Sequence, residues 1–354
     1  MNNKSIVKLY PHKLCGNIKA PASKSISHRA IICSVLARGK SSINNIEISE
    51  DILATINAFK TIGVKFNLKD NILFVDSTNI ITSKPVTIDC NESGSTLRFL
   101  IPVFSALSIK TTFIGKEGLA KRPINVYIDA FSKTGVKIYK HDKKKSLPLS
   151  IESKLLASEF FISGDVSSQF ISGLLFALPL LDNDSYIYLT SKLESKGYVD
   201  MTIDILKKYN INIEILKNGF KIPKNQKYKA ASFFVDADFS QAAFFLASNL
   251  ISSNVSVSGL NINSIQPDKY ILDILKNFGA DIAFKDNAIT VKKISNIKKA
   301  EIDISQTPDL LPIVSVLCCL ADGRSTIYGA KRLKYKESNR LLSTANALNS
   351  IGGK

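Results

Sequence analysis

The 354-residue sequence has no tryptophan, only three histidines and five cysteines, and no C-x-x-C pair. Without a His/Cys cluster at metal-ligand spacing, it predicts no metal site. It also lacks the glycine patterns of Walker and Rossmann nucleotide sites, so no nucleotide cofactor is expected. We expect the cysteines to be buried free thiols, because most of them lie in apolar runs.

Apolar runs long enough for a membrane are also absent. The two longest, residues 171–181 and 310–321, are too short to cross a bilayer and are predicted to be buried helices. The N-terminal residues lack the apolar segment of a signal peptide. We therefore expect a cytoplasmic protein with no membrane partner.

Positive charge is what the sequence has in excess, with 47 lysines and arginines, 30 aspartates and glutamates, and a formal net charge of +17. The lysines are scattered, and the one dense patch, residues 140–145, lies where a hairpin turn is predicted. This distribution argues against nucleic acid as the partner, although the charge alone keeps that alternative open. A basic protein also attracts small polyanions.

A small or polar helix start followed by an apolar run recurs about every 70 residues. The five copies begin at Ser25, Gly94, Ser168, Ser240 and Pro308. Such regular spacing predicts a repeated structural unit, and each unit contains a second, amphipathic helix.

The second helix of each unit is predicted to end at a left-handed residue and to run into a strand. These terminal residues are Gly63, Gly135, Asn210 and Gly279. Hairpin signals follow at residues 70–71, 218–219 and 286–287. Each unit thus predicts strand, helix, strand, helix and hairpin, which is the alternation of an α/β protein. Four units are whole and a fifth stops at residue 354, so we expect a C-terminally incomplete chain, with a hinge near residues 227–232.

The first helix start, residues 20–36, presents Lys24 and Arg29 beside small and hydroxylated residues. Free backbone N–H groups and the positive end of the helix dipole favour an anion there, and the two cations add to that preference. A phosphate or carboxylate ligand is therefore expected. An ordinary Ser-capped helix with solvated basic residues is the alternative.

Seven segments resemble, in their order and spacing, those of the 5-enolpyruvylshikimate-3-phosphate synthases, also called 3-phosphoshikimate 1-carboxyvinyltransferases. They are A-S-K-S-I-S-H-R-A, E-S-G-S-T-L-R-F, A-K-R-P-I, G-D-V-S-S-Q-F-I-S-G-L-L, S-K-G-Y-V-D-M-T, T-P-D-L-L-P and Y-K-E-S-N-R-L. The resemblance covers essentially the entire chain. Any one segment is weak evidence, but seven in series are strong.

This resemblance implies an α/β (α+β) fold of two domains built from β-α-β-α-β-β units. The first domain would span residues 16–228, and the second would combine residues 1–15 with 229–354 and lack its last unit or units. In the family, that last part carries an arginine and a lysine that hold phosphoenolpyruvate. The implied enzyme is a monomer without a cofactor.

The implied reaction transfers the enolpyruvyl group from phosphoenolpyruvate to the 5-hydroxyl of shikimate 3-phosphate and releases phosphate, on the shikimate pathway to chorismate and aromatic amino acids. By resemblance, Lys24 lies between both substrates, Asp309 accepts the 5-hydroxyl proton, and Glu337 transfers a proton at the methylene carbon. The residues implied to bind shikimate 3-phosphate are Ser25, Arg29, Ser167, Ser168, Gln169, Ser195 and Lys336. Those implied to bind phosphoenolpyruvate are Gly94, Arg122 and Arg340.

Local sequence patterns suggest how some of these residues are positioned. Residues 307–309 are predicted to be the N-cap, N1 and N2 of a helix, and Pro123 to be the N1 residue of another. Lys336 and Arg340 are predicted to share one helical face because they are four residues apart. Glu92 stands where better-known members of the family have asparagine. His28 has no implied role and is expected to be a helix-face residue.

Structural explanations remain open for each of these residues. The serines and Asp309 could be ordinary helix caps, Gly94 a plain helix-start glycine, and Arg122 a solvated loop cation. Without the family resemblance, the charged residues around Lys336 would be interpreted as a surface ion-pair cluster on a helix.

Three other functions are compatible with parts of the sequence. The sister transferase that acts on UDP-N-acetylglucosamine uses a cysteine in the loop corresponding to residues 115–123, where this chain has none, and has K-N-A in place of S-K-S. An RNA-binding or RNA-end-processing protein on related repeats is supported only by the positive charge. A non-catalytic fragment is suggested by the interrupted last unit.

Overall fold

The computed structural model describes residues 8, 10, 12–132, 134–152, 154–292 and 294–353. Helices and strands alternate along the chain as the repeat predicts. The α-helices of these residues are α1 (Lys24–Leu36), α2 (Glu50–Lys60), α3 (Gly94–Ala106), α4 (Glu117–Ala120), α5 (Asn125–Phe131), α6 (Ser168–Ala177), α7 (Lys196–Lys208), α8 (Phe239–Ile251), α9 (Ile271–Asn277), α10 (Leu311–Leu320) and α11 (Arg340–Ser350). Short 3-10 helices lie at Leu178–Leu180, Pro267–Tyr270, Pro308–Leu310 and Lys331–Tyr335.

The strands form a series of small sheets. They are β1 (Cys15–Lys19), β2 (Lys40–Asn44), β3 (Lys65–Lys69), β4 (Ile72–Asp76), β5 (Val86–Asp89), β6 (Thr111–Ile114), β7 (Ile138–Lys140), β8 (Leu149–Ile151), β9 (Glu159–Ile162), β10 (Ser185–Leu189), β11 (Glu214–Leu216), β12 (Gly219–Ile222), β13 (Ser232–Phe234), β14 (Asn254–Ser258), β15 (Asp281–Lys285), β16 (Ala288–Lys292), β17 (Glu301–Asp303) and β18 (Thr326–Tyr328).

Side-chain caps explain where several of the apolar helices begin. Ser93 accepts a hydrogen bond from the Thr96 backbone N–H at 3.1 Å before α3, and Ser167 accepts one from Gln169 at 3.3 Å before α6. Asp238 caps α8 in the same way. These contacts satisfy backbone donors that the first turn leaves free. The predicted helix starts are therefore confirmed, with α10 preceded by the 3-10 turn at Pro308–Leu310.

Left-handed residues end the second helix of each unit, as predicted. The φ angles are +87° at Gly63, +76° at Gly135, +67° at Asn210 and +100° at Gly279. All three predicted hairpins are present as antiparallel pairs, β3 with β4, β11 with β12, and β15 with β16. The lysine patch at residues 140–145 leads from β7 to the antiparallel β8, which confirms the predicted turn.

Four four-stranded sheets share one topology, in which a parallel pair is extended by an antiparallel hairpin. Their orders are β13-β2-β4-β3, β5-β6-β8-β7, β9-β10-β12-β11 and β1-β14-β16-β15. A two-stranded parallel sheet, β17 with β18, belongs to the fifth unit. Within these sheets β1 pairs with β14 and β13 pairs with β2, so each of these two strands joins a sheet that is distant in sequence.

The buried apolar side chains form two clusters. The first cluster is drawn from residues 26–235 and includes Phe59, Phe104 and Phe170; the second is drawn from Ala20 and residues 237–333. The two chain segments that connect the clusters lie side by side. The Ser23 backbone N–H donates to the Asp236 carbonyl, and the Asp238 backbone N–H donates to the Pro21 carbonyl.

Two sequence-based expectations about burial are wrong in part. Cys33 and Cys90 are buried and free, but Cys15 and Cys319 are exposed. The end of α10 is exposed as well, because Leu320 keeps 47% of its surface accessible. No helix in the described part of the chain is long and apolar enough to cross a membrane.

Candidate active site

All thirteen site residues predicted from the sequence line one cleft between the two clusters. They are Lys24, Ser25, Arg29, Gly94, Arg122, Ser167, Ser168, Gln169, Ser195, Asp309, Lys336, Glu337 and Arg340. The N-termini of α1, α3, α6 and α7 supply most residues of one wall, and Asp51 of α2 and the loop residues Arg122 and Pro123 complete it. Residues 308–309 and 332–340 supply the other wall. Four helix starts directed at one cleft concentrate partial positive charge there.

The charged side chains of the cleft are mostly cationic. The cations are Lys24, Arg29, Arg98, Arg122, Arg332, Lys336 and Arg340, and the carboxylates are Asp51, Asp309 and Glu337. Four of the arginines are almost fully buried. The seven cations outnumber the three carboxylates by four, and with four of them buried this excess charge favours an anionic ligand.

Lys24 and Arg29 are held differently although both belong to α1. Lys24 contacts Asp51 at 2.7 Å and keeps 53% of its side chain exposed. Arg29 is buried, donates from Nε to Thr202 at 2.8 Å, and donates to the Ser25 carbonyl at 2.7 Å. Burial lowers the pKa of Arg29 to about 10, so the guanidinium stays charged at neutral pH.

His28 lies in α1 and is one of the buried residues of that helix. Its Nδ1 lies 2.9 Å from the Thr55 hydroxyl. Burial, with Lys24 nearby, lowers the pKa of His28 to about 3, so the imidazole is neutral at physiological pH. His28 therefore adds no charge to the start of α1.

Gly94, the first residue of α3, leaves space for the Arg122 guanidinium. A Cβ atom built at Gly94 would lie 2.7 Å from Arg122 NH1. Arg122 is only 5% exposed, and its Nε and NH2 have no hydrogen-bond partner among the residues that the structure describes. Unpaired donors of a buried arginine are an obvious place for an anion to bind. The loop leading from Arg122 differs from the expectation, because α5 begins at Asn125 and Pro123 lies outside it.

Arg98 is a cleft residue that the sequence reasoning missed. It donates to Gln169 Oε1 at 2.7 Å, and Gln169 Nε2 donates to the Ser95 hydroxyl at 3.0 Å. This chain joins the first turns of α3 and α6. Arg98 stands one turn after Gly94 within the segment E-S-G-S-T-L-R-F, so its position in that segment was a usable signal.

Asp309 is the centre of an ion-pair cluster. Its Oδ1 lies 2.6 Å from Arg340 NH1 and 3.8 Å from Lys336 Nζ. Burial alone would raise the pKa of Asp309, but Lys336 and Arg340 outweigh it and hold the pKa well below its usual range. Burial lowers the pKa of Lys336 in turn. Asp309 is therefore a carboxylate at neutral pH.

Glu337 connects this cluster to Arg122. It lies 2.8 Å from Arg340 NH2 and 3.5 Å from Arg122 NH1. Burial opposes ionisation, but Arg340 and Arg122 lower the pKa of Glu337 to about 2. The predicted common helical face of Lys336 and Arg340 is wrong, because Lys336 is extended and α11 begins only at Arg340. The two cations meet through their shared partner Asp309.

Two further groups at the cleft were not foreseen. Arg332 lies 2.8 Å from Glu194 and donates to the Ser195 hydroxyl, so it connects the start of α7 to the opposite wall. The Tyr198 hydroxyl lies 2.6 Å from Asp268 and 3.2 Å from Asp309. No local pattern signals these pairs, since the partners are 70 or more residues apart.

The remaining expectations concern Glu92 and metal ions. Glu92 is exposed and lies outside the cleft lining. Among the residues that the structure describes, no group of three His, Cys, Asp or Glu side chains could hold a metal.

Fold and cleft together define an α/β protein whose repeated units direct helix N-termini into one cationic site. The family described as EPSP synthase (3-phosphoshikimate 1-carboxyvinyltransferase) matches residues 10–354. The chain is 43% identical over 358 residues to the 3-phosphoshikimate 1-carboxyvinyltransferase of Clostridium beijerinckii, covering 98% of this chain and 81% of that protein. It is 42% identical to the enzyme of that name from Clostridioides difficile, with the same coverage. The chain belongs to the EPSP synthase family.

Solved structures agree with this fold. EPSP synthase from Acinetobacter baumannii matches with a TM-score of 0.78 at 23% identity, over 95% of this chain and 78% of that one. The enolpyruvyl transferase NikO from Streptomyces tendae matches with a TM-score of 0.69 at 12% identity, over 89% of this chain and 76% of that one. The predicted fold class is confirmed.

Proposed function

We propose that this transferase moves the enolpyruvyl group of phosphoenolpyruvate to the 5-hydroxyl of shikimate 3-phosphate, with release of phosphate, on the pathway to chorismate and aromatic amino acids. The observation that carries the proposal is the convergence of four helix N-termini and seven cations on Asp309 and Glu337. Two polyanions must be desolvated together for this reaction, and preorganised positive charge offsets their repulsion.

The residue roles are part of the proposal. Ser167, Ser168, Gln169 and Ser195 would hold the sugar phosphate with uncharged donors at helix starts, while Ser25, Arg29 and Lys336 contact the rest of shikimate 3-phosphate. Gly94, Arg122 and Arg340 would bind phosphoenolpyruvate, whose phosphate and carboxylate suit the planar guanidinium fork. Lys24 would neutralise charge between both ligands.

The two carboxylates would carry the protons. The 5-hydroxyl oxygen bonds to C2 of phosphoenolpyruvate while Asp309 takes the hydroxyl proton, and Glu337 passes a proton taken from solvent to C3. Phosphate then leaves from C2, and Glu337 removes a proton from C3 to restore the methylene. Asp309 and Glu337 are both held in the ionised, proton-accepting form by the cations around them. Their low basicity implies that orientation, more than base strength, contributes to the rate.

A coupled phosphate-release assay with both substrates tests the proposal. Phosphate release should require shikimate 3-phosphate and should not occur with UDP-N-acetylglucosamine in its place. Lys336→Met should abolish saturation by shikimate 3-phosphate, while Lys334→Met, an exposed lysine outside the cleft lining, should behave like the unchanged chain. Phosphate release independent of shikimate 3-phosphate would refute the assignment.

We further propose two domains, close to residues 16–228 and to residues 1–15 joined with 229–354. The two apolar clusters support this division. The pairing of β1 with β14 and of β13 with β2 favours crossing points near Ala20 and Val235 over the residues expected from the sequence. From the family resemblance and the scattered positive charge, we also propose a monomeric, cytoplasmic enzyme with small-molecule substrates and no nucleic-acid partner.

A further inference from the structure

A buried carboxyl group behind the proposed proton acceptor has no assigned role. Asp268 lies in the 3-10 helix Pro267–Tyr270 and is only 5% exposed. Its Oδ2 is 2.6 Å from the Tyr198 hydroxyl, and within the described part of the chain its Oδ1 has no hydrogen-bond partner. Among the described residues, no lysine or arginine lies within ion-pair distance of it.

The charges around Asp268 are mainly negative. Asp309 approaches from the 3-10 helix Pro308–Leu310, and Asp238 approaches from the start of α8. Tyr198 faces it from α7, and the positive charge of Lys336 acts on it from beyond ion-pair distance. A buried carboxylate without a cation, beside two other carboxylates, is strongly disfavoured.

The number of protons available decides the arrangement. Tyr198 has one hydroxyl proton and lies between two carboxyl groups, at 2.6 Å from Asp268 and 3.2 Å from Asp309. Asp309 is ionised by Arg340 and Lys336 and can only accept. If Asp268 were ionised too, one of the two carboxylates would face the lone pairs of the phenol oxygen. A proton on Asp268 removes this conflict.

We propose that Asp268 is a positioning residue that carries a proton at neutral pH, donates it to the Tyr198 oxygen, and so directs the Tyr198 proton to the Asp309 carboxylate. The hydrogen bond from Tyr198 then holds Oδ2 of Asp309 in place, while the hydrogen bond from Arg340 holds Oδ1. This orients the carboxylate that is proposed to accept the 5-hydroxyl proton, so the catalytic part of the inference rests on the proposed function.

Burial and the neighbouring Asp309 raise the pKa of Asp268 to about 8, in agreement with the geometry. Ionisation above that pH would place two carboxylates against one phenol, with the charge of Asp238 also acting on them. These hydrogen bonds also join the two walls of the cleft. Tyr198 belongs to the first cluster, while the 3-10 helices of Asp268 and Asp309 pack in the second. Loss of the proton should therefore weaken this connection between the two walls and lower turnover.

The test compares Asp268→Asn and Asp268→Ala with the unchanged chain, using Asp273→Asn on α9 as an exposed control with the same Asp-to-Asn replacement. An asparagine can still donate to Tyr198, so Asp268→Asn should keep kcat within about threefold at neutral pH and remove the alkaline loss of kcat. Asp268→Ala should lose about tenfold in kcat, because Tyr198 then has no donor behind it. Asp273→Asn should match the unchanged chain throughout.

Infrared spectroscopy reports the proton directly and needs no activity. The unchanged chain and Asp273→Asn should show the C=O stretching band of a protonated carboxylic acid at neutral pH, and Asp268→Asn should lack it. Equal spectra for all three proteins, or an alkaline loss of kcat retained in Asp268→Asn, would overturn the proposal. A purely structural role would lower the Tm and leave the pH profile unmoved. If no phosphate is released with either substrate set, the proposed function fails, while the infrared result still decides the protonation of Asp268.

Discussion

The close approach of Arg122 to Gly94 makes Gly94→Ala a sharp test of the proposed phosphoenolpyruvate site. The new Cβ would lie 2.7 Å from Arg122 NH1, whereas the neighbouring Arg98 and Gln169 atoms are at an ordinary 3.6 Å. Arg122 must therefore retreat by about 0.7 Å to restore normal contact. It is 5% exposed, so its guanidinium has little free space in which to move.

A displacement of that size breaks a bidentate contact between Arg122 and an anion. One charge-assisted hydrogen bond contributes about 1.5–3 kcal/mol, which corresponds to about a 10- to 150-fold change in affinity. We expect KM for phosphoenolpyruvate to rise by at least about tenfold and KM for shikimate 3-phosphate to change by less than about twofold. The Tm should not fall, since the helix propensity of alanine is up to about 1 kcal/mol more favourable than that of glycine and the residue lies in the first turn of α3.

Gly118→Ala is the matched control for this measurement. Its new Cβ would meet the Glu92 carboxylate at 3.4 Å, which is an ordinary contact, and Gly118 lies in α4 next to the same loop. Steady-state kinetics with each substrate varied in turn should show no change for this variant. A folded Gly94→Ala protein with an unchanged KM for phosphoenolpyruvate would refute the placement of that substrate against Arg122.

Three further predictions concern the carboxylates and the first cluster. Asp309→Asn should lower kcat by about 10²- to 10⁴-fold in the phosphate-release assay, as expected for loss of a proton acceptor. The pKa of Glu337 is lowered to about 2, so the ionised side chain stabilises the fold at any pH above the pKa that it has in the unfolded chain. This contribution is lost as the pH falls toward 2. The free energies of unfolding of the unchanged chain and of Glu337→Gln should therefore converge on acidification. Phe104 is fully buried between Phe59 and Phe113, so Phe104→Ala should lower the free energy of unfolding by about 3–5 kcal/mol in denaturant titrations. Phe74 is exposed, and Phe74→Ala should lower it by less than about 1 kcal/mol.

The helix starts were predictable because their signals are local. Ser93 and Ser167 cap helices through contacts two or three residues away, and Gly63 ends α2 through its own φ angle. The convergence of the starts on one cleft came from the resemblance to a family, since spacing alone does not orient one unit against another. Lys336 shows the limit of periodicity, because the 3-10 helix and extended link before α11 break the helical count.

Partners far apart in the chain were beyond sequence reasoning. Asp268 and Arg332 acquire their environment from residues 70 and 137 positions away, Tyr198 and Ser195 respectively. Nothing in the residues flanking Asp268 marks it as a buried carboxyl, because its burial is produced by packing against α7 and α8.

The exchange of edge strands restricts how the chain acquires its structure during synthesis. The sheet around β2 lacks its parallel partner until residues 232–234 have left the ribosome, and β1 waits for residues 254–258 before it can pair. The sheets that contain β2 and β1, one in each proposed domain, are therefore completed late in synthesis. Contacts between residues so far apart in sequence slow folding and prolong the exposure of unpaired strand edges. A domain expressed alone must carry its borrowed strand, so a contiguous fragment ending near residue 225 should be prone to aggregation.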